Sequence, residues 1–153
     1  FKLFMVDLIG RIFNGEFLRN PEAVAKELKT LTQGRGSFTL DEVVRIEREQ
    51  KPFPFELVIL HYDRKLGLFI ARARDEIGES GIIGLNPSGS VLISFYKFYP
   101  VAEIPPIPLK LREINYYGTL LEQPNRVISA SGEYDCKGCG KDFSGTWNMH
   151  SIN

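Results

Sequence analysis

The chain has 153 residues, 43% of them hydrophobic and 25% charged, which suits one folded domain, or one domain with a small appendage, and argues against disorder. Nineteen basic residues balance nineteen acidic ones at a pI near 6.9, and this excludes the basic excess of a histone-like or strand-coating protein. No apolar run approaches the roughly 18 residues that span a bilayer, and no secretory leader is visible, so a cytoplasmic protein without membrane contact is expected.

Residues 1–18 are dense in large apolar side chains, among them Phe1, Leu3, Phe4, Ile9, Phe13 and Phe17. The density predicts a buried helix over about 2–13, stopped at Asn14-Gly15. The alternative use of this stripe is a homo-oligomer contact through residues 1–18. Asn20 is a suitable N-cap before Pro21 and Glu22, and Val24, Leu28 and Leu31 would form one face of a second helix. Thr39-Leu40-Asp41-Glu42 reads as a capping box opening a third helix to about Gln50. Three short helices invite a helix-turn-helix reading. Glu47 and Glu49 beside Arg45 and Arg48 make a helical cap on a sheet the better one.

From Pro52 the texture becomes β. Strands are expected over 55–62, 68–74, 81–85, 91–99, 114–121 and 126–131, with turns at 63–67 and at Asn86-Pro87-Ser88-Gly89. Pro100, Pro105, Pro106 and Pro108 mark an extended connection. The expected fold class is therefore α+β. A helical region (1–51) packs with a small β-barrel-like domain (52–131), and a zinc-knuckle segment (132–153) follows.

The most specific chemical feature is Cys136-Lys137-Gly138-Cys139-Gly140. A Cys-x-x-Cys turn aims two thiolates at one point, and zinc takes four such donors in a tetrahedron. His150 is the expected third ligand, with Asp142, His61 or a partner chain as sources of the fourth. A disulfide between the cysteines would close a tight loop and staple nothing distant. A redox pair is the other reading, although such pairs sit at a helix start after a strand.

Cys136-x-x-Cys139-Gly-x-Asp142-Phe143, followed by Met149-His150-Ser151-Ile152, resembles the front of an HNH (ββα-metal) endonuclease motif. The resemblance covers about twenty residues. It implies structural Zn2+ on Cys136 and Cys139, a catalytic Mg2+ or Mn2+, and restriction-type cleavage of DNA. His150 would be the first of the catalytic pair, with Ser151 at the position of the general base. A serine cannot take a proton from water at neutral pH as imidazole does, so an inactive enzyme is one implied outcome. Residues 81–131, with Gly81-Ile82-Ile83-Gly84 and Pro106-Ile107-Pro108-Leu109, are similar to PUA-like and EVE-like readers of modified bases. The alternative function is a non-catalytic, zinc-stabilised module binding nucleic acid or protein.

Arg64, Lys65, Arg72 and Arg74 gather on one hairpin and are the candidate phosphate contacts; a charged, solvated edge is the plainer reading. Phe95, Tyr96, Phe98, Tyr99, Tyr116 and Tyr117 could stack on a flipped base, or fill the core. His61 reads as a strand-end histidine.

Overall fold

The computed structural model describes residues 6–22, 24–25, 29, 51–76, 78–87, 90–99, 114–136 and 144–153. Eight antiparallel strands follow one another around a closed barrel: β1 (Ile12–Arg19), β2 (Phe53–Tyr62), β3 (Leu68–Asp75), β4 (Glu79–Leu85), β5 (Leu92–Phe98), β6 (Ile114–Glu122), β7 (Ile128–Cys136) and β8 (Ser144–Ser151). Each strand pairs with its sequence neighbours. The seam is closed by β1 against β8, from Phe13 opposite Ser151 to Arg19 opposite Gly145. Closure removes both free edges of the sheet.

Side chains alternate across the wall, as a pleated strand requires. β5 sends Ile93, Phe95 and Lys97 inward, and β8 sends Trp147, Met149 and Ser151 inward. On β2 the register slips between Ile59 and His61, and this bulge turns Tyr62 inward out of phase with the strand before it. The interior is filled by rings. Phe95 stacks on Tyr116 at 4.7 Å and meets Trp147 edge-on at 5.3 Å, while Phe17 stacks on Phe53 at 5.0 Å and meets Tyr134 edge-on at 5.7 Å. Eight strands enclose a lumen just wide enough for side chains or one small ligand, and here the side chains take it.

The two ends differ. At one end the strands join by short turns, and residues 6–11 and 152–153 fold across. Val6 and Leu8 are buried there, the Arg11 guanidinium donates to the Asn153 carbonyl, and Asn153 Oδ1 accepts from Ile12 N at 2.9 Å. In the 63–67 turn, Asp63 Oδ1 accepts from Lys65 N and Leu66 N at 2.8 and 3.0 Å. Gly67 follows at φ +75°, where a Cβ would lie 2.0 Å from the Asn86 carbonyl oxygen. At the other end emerge the long connections between β1 and β2, β5 and β6, and β7 and β8.

This architecture corrects the α+β expectation: the described protein is nearly all β. Of the helix expected over about 2–13, residues 2–5 lie outside the described ones and residues 6–13 form none: β1 begins at Ile12 and alternates from Phe13 to Phe17 to Arg19. Asn14-Gly15 lies within that strand and is not a helix stop. Gly15 faces inward, where a Cβ would meet the Phe55 ring at 2.5 Å and the Asn148 carbonyl oxygen at 2.4 Å. Phe13 and Phe17 are core residues. After β1, Asn20 Oδ1 accepts from Glu22 N at 3.0 Å and Asn20 O accepts from Val24 N at 3.1 Å, the bonds of one helical turn. The remainder of that segment, the helix expected to about Gln50, and the proline-rich connection lie outside the described residues. The barrel also crosses the expected boundaries, since β1 comes from 1–51 and β8 from 132–153.

Candidate interaction surface

Near the end with the long connections, the interior turns polar. Lys97 Nζ donates to Asp75 Oδ2 at 2.7 Å, and both side chains are almost fully buried. The Tyr99 hydroxyl donates to the same carboxylate, and Lys97 Nζ reaches the Tyr116 hydroxyl at 3.4 Å. Three rings surround the ammonium, those of Phe17, Tyr99 and Tyr116, at 4.8, 5.0 and 5.7 Å. Burial pushes the Tyr99 and Tyr116 phenols far above their ordinary range, and the Asp75 charge adds to both shifts. Neither phenol can exchange a proton near neutrality. The cluster therefore reads as a paired, satisfied charge in the wall of the core.

The residues singled out by sequence are dispersed. Cys136 is disulfide-bonded, and the only other cysteine in the sequence is Cys139. A thiol held in a disulfide offers no thiolate to zinc. His150 points outward from β8, opposite Ser129 on β7 and seven residues along that strand from Cys136, a separation of roughly 20 Å. The two do not converge on one ion. Among the described residues no group of three His, Cys, Asp or Glu side chains could hold a metal, and two of the expected donors, Cys139 and Asp142, lie outside the described residues. Ser151 is buried, and its hydroxyl accepts from Ile128 N at 2.8 Å. It serves as a structural acceptor at the closed end.

Arg72 and Arg74 do share the outer face of β3, and Arg74 lies 3.6 Å from Glu79. Arg64 and Lys65 lie in the turn at the closed end. There Arg64 binds Asp7 at 2.7 Å and holds that carboxyl below its ordinary range. His61 is exposed at the β2 bulge. Of the six aromatic candidates, Phe95, Tyr99 and Tyr116 are core, whereas Tyr96, Phe98 and Tyr117 face out.

Those last three belong to a feature the sequence reading missed. The barrel exterior is two-sided. On β7, β8 and β1 the exposed outward positions are polar, Ser131 and Glu133, Thr146, Asn148 and His150, Asn14 and Glu16, while β2 exposes Glu56 together with Leu60. On β3 to β6 exposed apolar side chains stand among Arg72, Arg74, Glu79, Ser94 and Thr119. Leu68 and Ile70 on β3 stand opposite Leu85 and Ile83 on β4. Ile83 stands opposite Tyr96 on β5, Gly81 opposite Phe98, and Ser94 opposite Tyr117 on β6. Ile83 is 51% exposed, Tyr96 55% and Leu92 59%. Single exposed apolar residues are ordinary, but a contiguous set across four strands is not. Two shallow grooves run over this wall. One, of about 500 Å³, is lined by Leu85, Pro87, Leu92 and Gly118 among others, and the next, of about 380 Å³, by Tyr96, Asn115, Tyr117 and Asp135 among others. The signal in the sequence is apolar residues at both parities, as in Leu68-Phe69-Ile70, Ile82-Ile83 and Leu92-Ile93, where a half-buried strand would alternate.

No protein-family model, curated protein or solved structure matches the chain.

Proposed function

We propose that the chain is a non-catalytic binding module that recognises a protein partner on the outside of a closed barrel, through the apolar wall of β3 to β6. The observation that carries this reading is the wall itself, from Leu68 and Ile70 across Ile83 to Tyr96 and Tyr117. Three further points support it. The lumen is occupied by Phe17, Phe95, Tyr116, Tyr134 and Trp147, which leaves recognition to the exterior. Burial holds the two phenols of the polar cluster, Tyr99 and Tyr116, in their protonated form near neutrality. The overall charge is balanced, and two of the four hairpin cations already face carboxylates, which suits a protein surface better than a phosphate backbone.

The placement of Cys136, His150 and Ser151 lends no support to metal-dependent cleavage of DNA, so the binding-module alternative is carried forward.

The test is capture on the immobilised chain, comparing the native sequence with Ile83→Lys on the apolar wall and Thr146→Lys on the polar wall. Proteins retained by the native chain and by Thr146→Lys, and lost by Ile83→Lys, are the expected outcome. Retention indifferent to Ile83→Lys would sink the reading.

A further inference from the structure

We propose that a groove across the adjacent strands β5, β6 and β7 takes an arginine side chain of the protein partner, its guanidinium lying between Tyr96 and Tyr117 and donating to Asp135 and Asn115. The inference rests on the apolar wall being a protein-binding surface and adds the chemistry that the partner brings to its margin.

The groove is local. One cross-strand row runs from Tyr96 on β5 through Asn115 on β6 to Asp135 on β7, and Ser94, Tyr117 and Glu133 form the next row. Residues two apart on a strand share a face, so Asn115 and Tyr117 lie side by side and Tyr96 is the diagonal neighbour of Tyr117. Tyr96 and Tyr117 are 55% and 44% exposed, and with Asn115 and Asp135 they border the hollow of about 380 Å³.

Three observations call for a flat cation with several N–H donors. The first is charge. Asp135 borders the hollow and Glu133 stands opposite Tyr117, and neither carboxylate has an ion-pair partner among the described residues. No Lys, Arg or His lines the hollow among those residues, and the buried Arg19 of β1 faces the lumen with Phe13 and Phe17. The second is an unused acceptor. Asn115 Nδ2 donates to Asp135 Oδ1 at 3.1 Å, which leaves Asn115 Oδ1 as a buried acceptor with no donor. An unpaired buried polar atom is costly, and an N–H brought by a ligand satisfies it. The third is the pair of exposed rings, whose faces attract a cation. Burial first, and then the Asp135 and Glu133 charges, raise the Tyr117 phenol above its ordinary range, so the ring stays uncharged beside them. A lysine supplies the charge alone, whereas a guanidinium joins a flat face for the rings to a fork of donors. A sugar would meet the rings but leave both carboxylates without a counter-charge. The hollow of about 500 Å³ lined by Leu85 and Leu92 shares Ser94 and Tyr117 with this groove. In an extended partner segment, an apolar residue two places from the arginine reaches it.

An NMR titration of the isotope-labelled chain with a blocked peptide, leucine-serine-arginine-serine-leucine, tests this. The peptide reads the same in both directions, and a copy with citrulline, the uncharged isostere of arginine, runs in parallel. The arginine peptide should move the Tyr96, Asn115 and Tyr117 resonances and bind at least tenfold more tightly than the citrulline peptide, the gap narrowing as salt is raised. Asp135→Asn should weaken it about tenfold and Tyr96→Leu about fivefold, and circular dichroism checks that each variant folds. No movement of these resonances at millimolar peptide, equal binding of the two peptides, or binding indifferent to Asp135→Asn overturns the proposal. If it is overturned and a captured partner is still lost on Ile83→Lys, the wall remains a binding surface and only the arginine is wrong. If the arginine peptide binds through Asp135 while nothing captured depends on Ile83, the groove stands and the wider wall fails. If neither holds, both readings fail.

Discussion

Replacing Lys97 by Met removes one partner of a buried ion pair while keeping most of the side-chain shape. Lys97 Nζ lies 2.7 Å from Asp75 Oδ2, and the two side chains are 3% and 2% exposed. Little water can reach the carboxylate left behind, which loses the Lys97 ammonium while the Tyr99 hydroxyl and Gly78 N still donate to it. Stranding a buried charge costs about 3–5 kcal/mol. For a chain of this size each kcal/mol lowers Tm by roughly 2–4 °C, so a fall of about 10 °C is expected. Urea unfolding at neutral pH reports it through the single tryptophan, Trp147, which packs in the core against Phe95 and Tyr116. Protein concentration must be held fixed, because association would add to apparent stability. Mild acidification should shrink the penalty by neutralising the stranded carboxylate. Adding Asp75→Leu should restore more than half of the loss, since an apolar pair of similar volume is nearly neutral. A loss below about 1 kcal/mol, or no recovery in the double variant, would refute the account of a dry, paired cluster.

Alkali should unfold the barrel. The Tyr99 and Tyr116 phenols are raised in the folded state, so stability is complete below the ordinary tyrosine value of about 10 and falls as pH rises above it. Phenolate absorbance from these two should appear together with loss of β signal in a pH titration, and phenolate appearing in the folded protein would contradict this. Gly132→Ala should destabilise by about 1–3 kcal/mol or more in thermal unfolding. Its Cβ would lie 1.9 Å from the Tyr117 carbonyl oxygen and 2.6 Å from Gly118 Cα, backbone atoms that cannot swing aside. Reduction should cost at most about 2 kcal/mol, because only a four-residue loop closes if Cys136 pairs with Cys139. Thiol titration of the unreduced protein should find no free thiol, and two titratable thiols would restore the metal-knuckle expectation.

Much of the sheet was legible in the sequence. The expected strands at 55–62, 68–74, 81–85, 91–99 and 114–121 match β2 to β6 to within a few residues, because turn residues such as Asp63 and Gly67 punctuate them. β1 was read as helix because its apolar residues stand beside an equally apolar stretch, and Asn14-Gly15 imitates a stop signal. Only the tertiary fact that Gly15 faces the Phe55 ring shows otherwise. β8 was hidden by the cysteines. Once Cys136 to Ile152 was read as one metal motif, the alternation of Trp147, Met149 and Ser151 carried no weight, yet that alternation closes the barrel. The residue pattern could not show that His150 and Cys136 sit at opposite ends of paired strands, since sequence spacing ignores a 3.3 Å rise per residue. The apolar wall was visible as runs without alternation, but a buried strand and an interface strand share that pattern until the topology tells which face is out.

The most direct test of the apolar wall is carbene footprinting of the folded protein, in buffer and in cell extract. The account predicts that labelling of Ile83, Leu92 and Tyr96 falls in extract, while labelling of Asn14, Thr146 and Asn148 on the polar wall stays unchanged. Equal labelling of the apolar wall under both conditions, or protection confined to the polar wall, would contradict it.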